Sequence, residues 1–340
     1  MTMLETTRRR VLQFLALLGL GGSGLADAAR ALAATAPSGP AWPQMSYRRL
    51  GRTGFAGSRL VFGCGAALMF RRRDELLEAA LEHGVNVFDV GTRDYYRSAE
   101  ENLAAFARRH RDRIFLISKG LVGLDLEPGT ELSGEQRRTA AANWSKALDQ
   151  SLADLGTERV DAYYVMAANN PSLIQSEEMH AAFVAAKRAG KVAHWGVSTH
   201  QNAQAVLEAA AETGWYSLAQ IAVTPAGWYD WVAKDVQRDS RPLAALRPTL
   251  ERARAAGIGL IGMKAARHLA GRWYGLGPDR LGAFDAHYDA AFLEAPFSAF
   301  QRSYAYVLAH GLDAVNADSQ SLAHLQENFT AAATSQRYFA

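Results

Sequence analysis

Asp89, Lys119 and one of two adjacent tyrosines, Tyr95 or Tyr96, are residue types that together can move a proton. A free phenol, with a pKa of about 10, is a poor acid at neutral pH. A neighbouring ammonium favours the phenolate and lowers that value, and a carboxylate can hold the ammonium in place. Such a tyrosine could give a proton to a carbonyl oxygen while hydride arrives at the carbon. The same residues also admit a blander reading, a structural Asp–Lys pair with the tyrosines as packing.

The elements that must position these groups follow from the pattern of apolar residues. Short apolar runs at 60–63, 86–90, 114–119, 161–166, 194–198, 217–223, 258–263 and 312–317 read as strands. Amphipathic stretches near 73–83, 99–109, 139–155, 177–189, 202–213, 241–256, 298–310 and 319–332 read as helices. Strands separated by helices are parallel, and parallel strands covered on both faces are almost continuously apolar. Eight such units close into a (β/α)8 TIM barrel, which removes both sheet edges. Gly84, Gly190, Gly214 and Gly257 stand where helices should stop, and Asn202 could cap the next helix.

Asp89, Lys119 and Ser198 end the second, third and fifth strands, and Gln220 lies in the sixth. In a barrel those carboxyl ends converge on one mouth. Two long connections, 120–138 and 264–297, could cover it. Trp228, Tyr229, Trp231, Trp273 and Tyr274 supply aromatic surface there, for an apolar or sugar-like ligand or simply for packing. An open doubly wound sheet would need a glycine-rich phosphate loop after its first strand. Residues 63–67 lack the third glycine of that loop.

The chain has 340 residues, 49% hydrophobic and 21% charged, which suits a large core and excludes bulk disorder. Its formal charge is +3, of which +2 belongs to the first 33 residues, so the basic balance is no sign of nucleic acid. The one cysteine, Cys64, cannot form an internal disulfide, and the histidines show no metal-ligand spacing.

The amino terminus reads as an address. Residues 7–12 are TRRRVL, followed by a mildly apolar stretch and small residues, with Ala31-Leu32-Ala33 a suitable cleavage signature. The stretch is too short and glycine-rich for a stable membrane span. Gly19, Gly21 and Gly24 match a dinucleotide fingerprint in spacing, but no strand precedes them. The pattern resembles a twin-arginine export signal, with Arg8 and Arg9 as the pair. It implies the twin-arginine export machinery as a partner and a periplasmic or otherwise exported location. The organisation expected is a signal at 1–33, a linker at 34–46, a barrel at 47–332 and a tail at 333–340.

Residues 47–332 resemble the aldo/keto reductase family. RRLGRTGFAGSRLVFGCG resembles its opening hairpin and first strand, and GVNVFDVGTRDYYRSAEENL its second-strand motif. FLISK resembles the strand carrying a catalytic lysine. LDQSLADLGTERVDAYYVM resembles the helix and strand that normally end in a catalytic histidine. GKVAHWGVSTH resembles the segment that holds the nicotinamide amide. The resemblance implies that Asp89, Tyr96 and Lys119 are catalytic, Tyr96 being favoured over Tyr95 by counting back from Glu100. It implies that Ser198, Thr199 and Gln220 hold the nicotinamide of NAD or NADP. In GLIGMKAARHLAG, Lys264 follows the seventh strand, and in LQEN, Glu327 and Asn328 would meet the adenine end.

Two departures matter. The family histidine falls on Met166, whose thioether cannot donate a hydrogen bond. Asn169, Asn170 or His200 could compensate. Asp318 and His324 stand where basic residues usually grip a 2′-phosphate, which favours NAD over NADP. His268, Arg267 and Arg272 could supply other phosphate contacts. The function expected is an oxidoreductase that interconverts a small-molecule carbonyl and an alcohol. The alternatives are an exported binding or accessory protein on a redox-inactive barrel, and an isomerisation or elimination using the Lys–Tyr pair.

Overall fold

The computed structural model describes residues 42–270 and 280–337. The export signal, most of the linker, Arg272, Trp273, Tyr274 and the last three residues of the tail lie outside the described residues. A short antiparallel hairpin comes first, β1 (Tyr47–Arg49) with β2 (Ala56–Ser58). Eight parallel strands follow: β3 (Leu60–Gly63), β4 (Val87–Asp89), β5 (Phe115–Gly120), β6 (Val160–Val165), β7 (Val192–Thr199), β8 (Leu218–Thr224), β11 (Gly259–Met263) and β12 (Ala314–Ala317). An antiparallel ribbon of β9 (Gly227–Asp230) and β10 (Asp235–Val236) extends from β8. The eight pair in the order β8, β11, β12, β3, β4, β5, β6, β7, and β7 pairs with β8 to complete the circle. The fold is a closed (β/α)8 TIM barrel surrounded by helices.

Strand periodicity decides what faces the axis, because alternate side chains point to opposite faces of a sheet. On β5, Phe115 and Ile117 belong to the inner cluster, whereas Leu116 packs outward with the helices. The same alternation carries Lys119 inward and Ser118 outward. On β4, Val87 is inside and Phe88 outside, so Asp89 points in. On β12, Ala314 is inside and Val315 outside, so Asn316 points in. The inner cluster also contains Leu50, from the turn of the hairpin, with Phe55 packed against it. The hairpin therefore closes the amino-terminal end of the barrel. The outer layer is larger and includes Trp144, Trp195, Tyr216 and Phe183, with Trp195 stacked on Tyr216 at 4.3 Å. Truncating such a ring would cost about 3–5 kcal/mol.

The expected strands and helices lie within a few residues of those observed, and the helix-stopping glycines 84, 190, 214 and 257 have positive φ. Local chemistry explains the differences. The third barrel helix starts at Gly134 rather than near 139, because Ser133 and Gln136 form a reciprocal capping box. The stretch expected as one helix over 241–256 is a 3-10 turn, Leu243–Leu246, followed by Arg247–Ala255, with a proline in the first turn of the second piece. Asn202 does not cap the helix Ala203–Thr213. Its φ is 51° and its side chain donates to the Asn169 carbonyl at 2.9 Å instead. Trp228 and Tyr229 are core residues, 3% and 2% exposed, rather than lid surface.

Candidate active site

The charged groups at the carboxyl end of the barrel form one connected cluster. Lys119 Nζ donates to Asp89 Oδ1 at 2.5 Å and to Oδ2 at 2.6 Å. Asn316 Nδ2 donates to Asp89 Oδ2 at 2.5 Å, and Gln220 Nε2 to the same oxygen at 3.3 Å. Asp89 and Lys119 are both buried. A buried ion pair is tolerated when further hydrogen bonds satisfy its remaining lone pairs, and the two amides do that here. Asn316 was not singled out in the sequence. The available signal was a polar residue at an inward position of an otherwise apolar strand.

Tyr96 ends a single helical turn, Arg93–Tyr96, that follows β4. The Thr92 amide, just before that turn, donates to the Lys119 carbonyl at 3.0 Å, which ties the loop to β5. Two glycines leave room for the ring. A Cβ on Gly65 would lie 2.7 Å from the Tyr96 ring. A Cβ on Gly91 would lie 2.9 Å from Lys119 Cγ and 3.1 Å from Tyr96 Cδ2. The phenol ring and the lysine stem are therefore neighbours across Gly91. Tyr95 packs edge-on against Tyr96, at 4.7 Å between centroids, and is itself exposed.

Behind this cluster, on the helix side of β5, lies Glu100. It is 1% exposed and accepts a hydrogen bond from Ser118 Oγ at 2.6 Å. Burial pushes its carboxyl up to about 7, against the lowering effect of hydrogen bonds from Ser118 and Ser151. Cys64 is also fully buried, and burial raises its thiol well above the ordinary range.

A cavity of about 550 Å3 opens over the cluster. Asp89, Tyr96, Gln220 and Asn316 line it, together with Trp231, Lys264, Arg267, Asp318, His324, Glu327 and Asn328. Ser198 and Gln220 pair across β7 and β8, and among the described residues both Ser198 Oγ and Gln220 Oε1 are buried without a hydrogen-bond partner. Buried polar atoms of this kind are seldom left unsatisfied. One acceptor and one hydroxyl side by side match a carboxamide, so these residues fit a nicotinamide.

The remaining residues expected at the site are spread between cavity and core. The Thr199 hydroxyl donates to the Gln201 carbonyl at 2.7 Å and is fully buried. Lys264 has a φ of 64°, and its ammonium lies 4.3 Å from the Trp231 ring centroid. Burial brings Lys264 down to about 8, opposed by Asp318. Lys234 sits over the same indole at 2.9 Å. Glu327 accepts from Ser298 Oγ at 2.5 Å, and Asn328 donates to Ser319 Oγ at 3.2 Å. His268 Nδ1 lies 3.0 Å from Asp235 Oδ1, and burial holds the His268 imidazole below its ordinary pKa. Met166 is buried, and its amide donates to the Gly120 carbonyl at 2.9 Å. Asn169 donates to the Leu126 carbonyl, and Asn170 to the carbonyls of Glu127 and Thr130, so both amides serve the loop.

A barrel with a buried aspartate–lysine pair and a tyrosine at its open end defines a recognisable class of protein. Residues 59–268 match the model of the aldo/keto reductase family, and the chain belongs to that family. Among curated proteins no sequence matches significantly. Among solved structures similar to this chain, two are from Pseudomonas aeruginosa and are titled putative aldo-keto reductase. The first is 21% identical with a TM-score of 0.59, covering 85% of this chain and 95% of that one. The second is 20% identical with a TM-score of 0.59, covering 87% and 100%. A thermostable aldo-keto reductase, Tm1743, solved with the inhibitor epalrestat, is 21% identical with a TM-score of 0.60, covering 84% and 94%. At these identities the likeness is one of fold.

Proposed function

We propose that the protein interconverts a carbonyl and an alcohol with a nicotinamide nucleotide, Tyr96 acting as the proton donor. The observation that carries this reading is that the Tyr96 ring and the Lys119 stem both close on Gly91, with Tyr96 on the wall of a cavity that also reaches the Asp89 carboxylate. Ser198 and Gln220 would hold the carboxamide, with Lys264, Glu327 and Asn328 along the rest of the nucleotide. A reduced nicotinamide held there would supply the hydride to the carbonyl carbon. The carbonyl π pair then moves to oxygen, which takes the Tyr96 proton, and solvent restores the phenol. Lys119 supplies positive charge beside the phenolate that remains, and Asp89 fixes the lysine. Holding donor and acceptor together removes much of the orientation cost of the reaction.

NAD is preferred over NADP in this reading, because Asp318 and Glu327 place carboxylates on the cavity wall. The amino-terminal basic and apolar segment supports export through the twin-arginine route, with the folded barrel carried out intact. Nucleotide titration with Tyr96→Phe tests the whole. Nucleotide affinity should persist while turnover falls at least a hundredfold, the usual worth of a positioned acid. Full turnover in Tyr96→Phe would refute the assignment.

A further inference from the structure

Asn316 reaches Asp89 through a gap in the barrel wall. It takes an inward position on β12 and lines the cavity, but β3 lies between β12 and β4. The β3 residue paired with Asp89 is Gly63. A Cβ on Gly63 would stand 2.5 Å from Asn316 Oδ1, so a side chain there would close on the amide. With the gap open, Asn316 Nδ2 donates to Asp89 Oδ2 at 2.5 Å. The nitrogen must be the atom facing the carboxylate, because an amide oxygen has no proton to offer it.

Asp89 is thereby shared. Lys119 Nζ meets Oδ1 at 2.5 Å and Oδ2 at 2.6 Å, while Asn316 and, at 3.3 Å, Gln220 also draw on Oδ2. Hydrogen bonds to a carboxylate disperse its negative charge, and inside a protein neighbouring groups feel that dispersal strongly. The charge drawn toward the amides no longer neutralises the ammonium. The Lys119 stem and the Tyr96 ring both close on Gly91, so that ammonium belongs to the surroundings of the phenol.

We infer that Asn316 is a positioning residue for the proton transfer: it competes with Lys119 for Asp89, leaves more of the ammonium charge to the Tyr96 oxygen, and so makes the phenol a stronger acid. The inference rests on the redox reading above. The other titratable groups around Asp89 and Lys119 are Cys64, Tyr164 on β6 and Glu100 behind β5. Lys264, opposed by Asp318, and His200 act on or feel Lys119 from further off, and Tyr95 packs against the Tyr96 ring. All of them remain when Asn316 is replaced.

The test titrates the Tyr96 phenol by ultraviolet difference absorption, each protein against the same protein carrying Tyr96→Phe, so no turnover is needed. Asn316→Leu, which keeps the bulk and loses the donor, should raise the midpoint by about one pH unit, a tenfold loss of acidity. Asn316→Ala, which brings no new side chain into the gap, should show the same rise. Asn316→Gln, which keeps an N–H, should recover most of it. With a panel of alcohols and NAD or NADP, the pH dependence of oxidation, which needs the phenolate, should move upward by the same amount while nucleotide Kd is unchanged. An unmoved midpoint in Asn316→Leu and Asn316→Ala, or equal shifts in all three variants, overturns the inference alone. A wild-type protein that binds neither nucleotide and oxidises nothing in the panel ends the redox reading, and the phenol titration still decides whether Asn316 sets the acidity of Tyr96.

Discussion

The Asp89 carboxylate holds the Lys119 ammonium with both oxygens, at 2.5 and 2.6 Å, and neither residue is more than 4% exposed. Two charges so deeply enclosed are stable only as a pair. Asp89→Asn or Lys119→Met should each lower unfolding free energy by about 3–5 kcal/mol, because the remaining charge is left buried and uncompensated. Asp89→Asn combined with Lys119→Met should be far less destabilised than the sum of the single changes. Urea denaturation of the three variants reads the difference. Additive losses would mean that the pair is not coupled.

Gly65 is the most direct handle on Tyr96. A Cβ there would stand 2.7 Å from the ring, closer than atoms approach without a shift. Gly65→Ala should displace the phenol and cut kcat by tenfold or more, at small cost in melting temperature. The backbone of the short helix Cys64–Leu68 tolerates alanine. Unchanged kcat would show that the position of the Tyr96 ring does not matter to turnover.

Glu100 makes stability depend on pH in a definite direction. Its folded pKa of about 7 lies above the ordinary carboxylate value, so the folded state keeps its proton longer than the unfolded chain. Its contribution is fully present below about pH 4.5 and is lost as pH rises through about 7. The loss amounts to about 3 kcal/mol by linkage. Denaturation at pH 5 and pH 8 should show that decline in the native protein and a flatter profile in Glu100→Gln. Equal slopes would mean that Glu100 titrates normally.

Ser198 and Gln220 should matter to nucleotide binding through their unpartnered oxygens. Ser198→Ala should raise the Kd for NADH by about tenfold, the worth of roughly 1.4 kcal/mol. Asp318→Arg should shift preference toward NADPH by supplying a partner for its extra phosphate. Fluorescence titration with both nucleotides checks the pair, and an unchanged ratio in Asp318→Arg would remove that residue from the binding site.

The barrel was legible in the sequence because its signals are local and repeated. Apolar runs recur at each unit, helix caps and stopping glycines at several, and Lys119 and Asp89 stand out as charges at strand ends. What was not legible depends on contacts distant in the chain. Asn316 reaches Asp89 across 227 positions, and nothing near Asn316 announces it. The β9–β10 ribbon was missed because its strands are short and interrupted by charged residues. Asn202 looked like a helix cap by type and place, but the adjacent loop claimed its amide. Trp228 and Trp231 could not be told apart by composition, although one is core and the other faces the cavity.

The plug formed by Leu50 and Phe55 turns the barrel into a cul-de-sac. Among the described residues, whatever approaches Asp89 comes from the carboxyl end of the strands, where the cavity opens.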